Sequence, residues 1–128
     1  MEGPIVVDSS GWIEWFSSGA GAGNFAPAVV KAEELVVPSI SILEVVRWSL
    51  IHGGDLQAKT AAELMQRGKV VDLDAKLAVD AATLARAHRL PTADSIIYAT
   101  AKRFGAELWT QDADFVELPG VRYFPKSA

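Results

Sequence analysis

Short apolar runs alternate with longer mixed stretches along this chain. Ile5-Val6-Val7 is the first run, and it stops abruptly at Asp8. A run this short, bounded by polar residues, reads as a buried strand over residues 5–8. Residues 9–17 carry Trp12, Trp15 and Phe16 at helical spacing and predict a short helix. The GAGAG stretch at 19–23 predicts a flexible break, followed by a helix over 25–34. Leu35-Val36-Val37, closed by Pro38, is a second strand. Helical patterns then run over 42–52, ending at Gly53-Gly54, and over 55–67, ending at Gly68. Val70-Val71 belongs to a third strand. An Ala-rich helix over 75–89 is broken by Pro91, and another over 93–104 ends at Gly105. Residues 107–110 and 121–124 complete the strands.

Strands that alternate with helices predict an α/β domain with a mainly parallel central sheet. In such sheets ligands collect beyond the carboxyl ends of the strands. Asp8 ends the first strand and Asp112 follows the one at 107–110. If these strands are neighbours, both acids face one crevice. The 128 residues make a single domain, with no internal repeat.

Composition narrows the chemistry. Half of the residues are hydrophobic, enough for a core without covalent staples. The absence of cysteine removes disulfides, thiolate zinc sites and a cysteine nucleophile together. No apolar run approaches the ~20 residues of a membrane span. Acidic Glu2 and Pro4 after the first residue do not make a secretory segment. The expectation is a soluble, cytoplasmic protein. The net charge of −4 argues against loose nucleic-acid binding. That argument weakens once several acids are assigned to a cation.

Five acids invite that assignment, and each has a local alternative. Asp8, before Ser9 and Ser10, has the place of a helix N-cap. Glu44 has the capping-box spacing from Ser41 and an ion-pair partner in Arg47. It also falls in an apolar stripe with Ile40, Trp48 and Ile51, where an uncompensated carboxylate is costly. Asp94 suits the first turn of a helix that Thr92 can cap, yet it shares a face with Ile97, Ala101 and Phe104. Asp112 and Asp114 sit in LWTQDADF, where one of them can make an Asx-turn. The conjunction is more informative than any member. Clustered carboxylates raise one another's pKa and call for a cation. With only His52 and His88 as nitrogen ligands, a soft-metal site is disfavoured, and all-oxygen donors point to Mg²⁺ or Mn²⁺.

At these residues the chain resembles the PIN domain, and within it the small toxins of VapBC-type toxin–antitoxin pairs. The resemblance is carried by IVVDSSGWIEWF, SISILEVVRW and LPTADSIIYATAKRFGAELWTQDADF, in that order over nearly the whole chain. It implies a PIN-like three-layer α/β/α fold and a Mg²⁺- or Mn²⁺-dependent endoribonuclease. The implied acidic site is Asp8, Glu44, Asp94 and Asp112, with Asp114 as a fifth acid. Asp8, Asp94 and Asp112 are the expected metal ligands, and Glu44 binds metal or orients the nucleophile. Ser10 and Thr110 match hydroxyl residues of the family beside its acids. The implied partners are an RNA substrate, a VapB-type antitoxin and a second copy in a homodimer.

From the residues themselves, Arg47, Arg86, His88 and Arg89 are candidates for phosphate contacts, with a solvated helix end as the alternative for each. Trp48, Leu50 and Ile51 make the middle helix apolar on more than one side, which suits a partner. Three other classes are weaker. A haloacid dehalogenase-type phosphatase needs Asp-x-Asp at the first strand end, where this chain has Asp8-Ser9-Ser10. A receiver domain needs paired early acids and a late lysine. A non-catalytic PIN-like binding module is the alternative that intact acids disfavour.

Overall fold

A computed structural model describes residues 3–126. Glu2, which entered the reading of the N-terminus, lies outside them. The strands are β1 (Ile5–Val7), β2 (Val36–Pro38), β3 (Lys69–Val71), β4 (Glu107–Thr110) and β5 (Val121–Tyr123). The helices are α1 (Ser9–Phe16), α2 (Ala22–Val29), α3 (Ser39–His52), α4 (Asp55–Met65), α5 (Ala75–His88) and α6 (Thr92–Arg103).

β1 pairs with β4, β4 with β5 and β2 with β3, all parallel. One parallel bridge, Ile5 to Leu35, joins the two groups. The order across the sheet is therefore β3-β2-β1-β4-β5. Up to β3 the chain winds to one side of β1; β4 and β5 lie on the other. The reversal falls between β1 and β4, where strand-end loops separate and leave a crevice.

Alternate strand residues feed opposite layers, as a period of two requires. Val6, Val36 and Leu108 pack with Leu77, Ile97 and Tyr98 of α5 and α6. Val7, Val37 and Trp109 pack with Trp12, Phe25, Val45 and Met65 from α1 to α4. This is the expected three-layer α/β/α arrangement. No helix among the described residues is long and apolar enough to cross a membrane.

Several boundaries differ from the sequence reading. The glycine-rich stretch is only partly a break, because α2 starts inside it at Ala22. The helix expected over 25–34 ends at Val29. Pro27 removes one of the hydrogen bonds of this short helix, and Ala32–Glu34 forms a separate 3-10 turn. α3 starts directly after Pro38 at Ser39, not at 42. Ser41 is thus inside the helix and makes no capping box; its buried hydroxyl has no hydrogen-bond partner among the described residues. The buried face of α3 is Ser41, Val45 and Ser49. The stripe through Ile40, Glu44, Trp48 and Ile51 is not that face, and Ile51 is 62% exposed. Thr92 does not cap α6 either. Pro91 holds the cap position without a side-chain bond.

Candidate metal centre

Asp8 has the N-cap role that its place in the sequence allowed, and its carboxylate is buried as well. Its Oδ1 accepts from the Gly11 amide at 2.9 Å, capping α1. It is also only 2% exposed, at the β1 edge of the crevice. Gly11 is required by this close approach, since a Cβ there would overlap the Phe25 ring and Val7. The Ser10 hydroxyl lies 2.8 and 2.9 Å from the two Asp8 oxygens. From the neighbouring strand Thr110 Oγ1 donates to Asp8 Oδ2 at 2.6 Å. The same Thr110 oxygen accepts from the Asp112 amide at 2.9 Å. One hydroxyl thereby couples the ends of β1 and β4.

Beyond Thr110 the chain turns. Asp112 Oδ1 accepts from the Asp114 amide at 2.9 Å and starts the 3-10 turn Ala113–Phe115. This turn, together with the first turn of α6, gathers three acids. One carboxylate oxygen from each of Asp94, Asp112 and Asp114 lies within 4.8 Å of the others. Asp94 and Asp112 are half-buried, and Asp114 is exposed.

Electrostatics place Asp94 at the centre. Its pKa is raised to about 7, first by burial and then by the charges of Asp112, Asp8, Asp114 and Glu44. Burial raises Asp8 to about 6 against the opposing hydrogen bonds of Thr110, Gly11 and Ser10, with Asp112 adding repulsion. All five candidate acids therefore take part in one field, although Asp8 and Glu44 fall outside the tightest group. Protons and cations compete for such a centre, so cation affinity rises as the pH climbs through these values.

The donor set suits a hard divalent cation. It offers only carboxylate oxygens, and its partly open side leaves room for water and a phosphate, as Mg²⁺ and Mn²⁺ prefer.

Glu44 reaches the site by a route the sequence did not suggest. Its Oε1 accepts from Ser9 Oγ at 2.6 Å. No ion pair joins it to Arg47 among the described residues. Ser9 was overlooked beside Ser10, and no local pattern separates two consecutive serines at a helix start. Gln111 and Glu14 were overlooked too, although Glu14 is the single charge in the apolar α1. Arg47, Arg86 and Arg89 are exposed, and Arg89 ends α5 with φ 57°. His88 packs edge-to-face on Tyr98 at 5.8 Å, a structural contact.

Fold and acids together define a doubly wound α/β domain with a carboxylate centre at its switch point. The chain belongs to the PIN domain family, whose model matches residues 5–121. No curated protein matches it in sequence. Among solved structures it is similar to a toxin–antitoxin complex from Klebsiella pneumoniae, with a TM-score of 0.79 and 22% identity over 94% of this chain and 98% of that one. It is also similar to VapC20 of Mycobacterium tuberculosis, a sarcin–ricin loop cleaving toxin, with a TM-score of 0.75 and 19% identity over 90% and 95% of the two chains. A third likeness is to DNA-bound VapBC from Salmonella typhimurium, with a TM-score of 0.68 and 19% identity over 98% of both. At these identities the likeness speaks for the fold.

Proposed function

We propose that this chain is a Mg²⁺- or Mn²⁺-dependent endoribonuclease and the toxin of a VapBC-type pair. The convergence of Asp94, Asp112 and Asp114 above buried Asp8 carries the reading. The toxins among its structural likenesses support it.

Asp94, Asp112 and Asp114 would hold the cation, with Asp8 behind them. Asp8 receives three donors, Gly11, Ser10 and Thr110. A carboxylate has about four lone-pair sites, so one remains for the ion. When bound, the cation supplies Lewis-acid charge to a scissile phosphate and makes water a stronger acid. Glu44, steadied by Ser9, orients the attacking water and takes its proton. In-line attack on phosphorus leaves a 5′-phosphate and a 3′-hydroxyl. Arg47, Arg86 and Arg89 contact flanking phosphates, and the substrate is a site in tRNA or rRNA.

Purified protein should cut cellular RNA with Mn²⁺ and stop on chelation, leaving 5′-phosphate ends. Metal binding without cleavage across total tRNA and rRNA would instead favour a non-catalytic binding module.

A VapB-type antitoxin and a second copy of the chain are the proposed partners, in the cytoplasm. Ile42, Leu43, Val46, Leu50, Ile51 and Ala62, together with Arg47, line a mainly apolar groove of about 610 Å³ on α3 and α4. Leu50 in it is 52% exposed. An apolar helix of the antitoxin fits such a groove. Leu50→Glu should weaken the antitoxin complex at least roughly tenfold, a loss of 1.4 kcal/mol, while cleavage by the free toxin persists. Unchanged affinity would move the antitoxin elsewhere, and sedimentation of the pure chain as a monomer would end the homodimer claim.

A further inference from the structure

Glu14 uses both of its carboxylate oxygens, and neither bond serves α1 itself. Oε2 accepts from the Gly21 amide at 2.7 Å. Oε1 accepts from Gln111 Nε2 at 3.3 Å, across 97 residues of sequence. The loop between α1 and α2 closes tightly around this carboxylate. Gly19 donates its amide to the Glu14 carbonyl at 3.0 Å, and a Cβ on Gly19 would collide with the carboxylate.

Gln111 is the other half of the contact. It is only 7% exposed, and a side chain so buried needs a polar partner. Its hydrogen-bond partner is Glu14. Gln111 also stands between Thr110, which holds Asp8, and Asp112 of the acid cluster. β4 ends at Thr110. Past that point the Asp112 amide is held by the Thr110 side chain. The tether on Gln111 therefore bears directly on where the turn lies.

We propose that Glu14 is a positioning residue of the metal centre: by clamping Gln111 to the Gly19–Gly21 loop it fixes the Thr110–Asp112 turn and the aim of the Asp112 carboxylate. The proposal rests on the metal reading above. Glu14 touches neither ion nor substrate. Its effect is geometric, and an error of about 1 Å in such a centre is enough to impair it severely.

The test compares wild type, Glu14→Ala, Glu14→Gln and Gln111→Leu. Mn²⁺ affinity is read by calorimetry, and hydrogen exchange of the Asp112 amide is read without metal. Glu14→Ala should bind Mn²⁺ roughly tenfold more weakly, within the range for residues that orient metal ligands. Its Asp112 amide should exchange about tenfold faster, the rate that follows from 1.4 kcal/mol of lost local protection. Glu14→Gln keeps an oxygen for the Gly21 amide, and its new NH2 can donate to Gln111 Oε1 once the Gln111 amide turns over, so it should stay within about twofold of wild type on both readings. Gln111→Leu cuts the clamp from the other side and should repeat the alanine result, which also covers a Glu14→Ala chain that fails to fold. Unchanged exchange and affinity in folded Glu14→Ala would overturn the proposal, as would the same result in Gln111→Leu should the alanine variant fail to fold. So would a Glu14→Gln protein as impaired as the alanine variant, since charge would then matter. A wild type that binds no Mn²⁺ but shows the exchange pattern would keep the clamp and remove the metal reading.

Discussion

Asp94→Asn protein should fold normally, bind Mn²⁺ roughly 100-fold or more weakly than wild type, and cleave RNA about a thousand-fold more slowly. Asparagine is nearly the same size and keeps one acceptor oxygen, so the packing of α6 survives. What disappears is the charge at the centre of the cluster. Asp94 feels Asp112, Asp8, Asp114 and Glu44, and its pKa of about 7 measures how hard ionisation is without a counter-ion. A raised carboxyl pKa means that the ionised form weakens the fold as the pH rises. Metal-free Asp94→Asn should therefore melt at or slightly above the wild-type temperature at pH 8. Mn²⁺ should raise the melting temperature of wild type, by preferential binding to the folded state, and leave the variant unmoved. Full cleavage by Asp94→Asn would refute the assignment of this acid.

Thr110→Val should be the most damaging conservative change. Valine fills the same space and suits a strand, so β4 is kept. The lost hydroxyl leaves Asp8 Oδ2 and the Asp112 amide without each other's bridge. Losing a hydrogen bond to a buried charge costs about 2–3 kcal/mol, against about 1 kcal/mol for a neutral one. The cost should thus depend on pH. In wild type the Asp8 pKa is about 6, already above its unfolded value near 3.8. Its contribution to stability is complete below about 4 and is lost as the pH rises through 6. Thr110 opposes this loss, and valine cannot. Metal-free Thr110→Val should lose about 1 kcal/mol at pH 5 and about 2–3 kcal/mol at pH 8. Melting curves at the two values decide it. An equal deficit at both would mean that Asp8 is not the group Thr110 serves.

These residues also show what one chain of letters reveals. Strand ends were legible because brief apolar runs stop at Asp8 and at Thr110. Their adjacency was left as a condition, which the parallel pairing of β1 with β4 meets. Spacing offers Glu44 an ion pair with Arg47 that does not form among the described residues; its bond comes instead from Ser9, 35 positions away. Sequence spacing carries no trace of that bond. The face of α3 was misread for a different reason. Two of its three buried positions are serines, while Leu50 and Ile51 point outward. A helix with serines on its buried face and large apolar side chains exposed inverts the usual signal. Asp114 stood at the margin of the reading and belongs to the tightest group of acids. The turn that brings it there is made by Asp112 itself.

The bond between Thr110 and Asp8 spans 102 positions, and β4 must slot in beside β1 before it can form. A ribosome making this chain has emitted most of it before either partner can meet the other. Fragments that stop short of Asp112 keep Asp8, Glu44 and Asp94 but lack Asp112 and Asp114, and pairings this distant in sequence form slowly. The acidic centre therefore assembles late, only once β4 and the turn that follows it are in place beside β1.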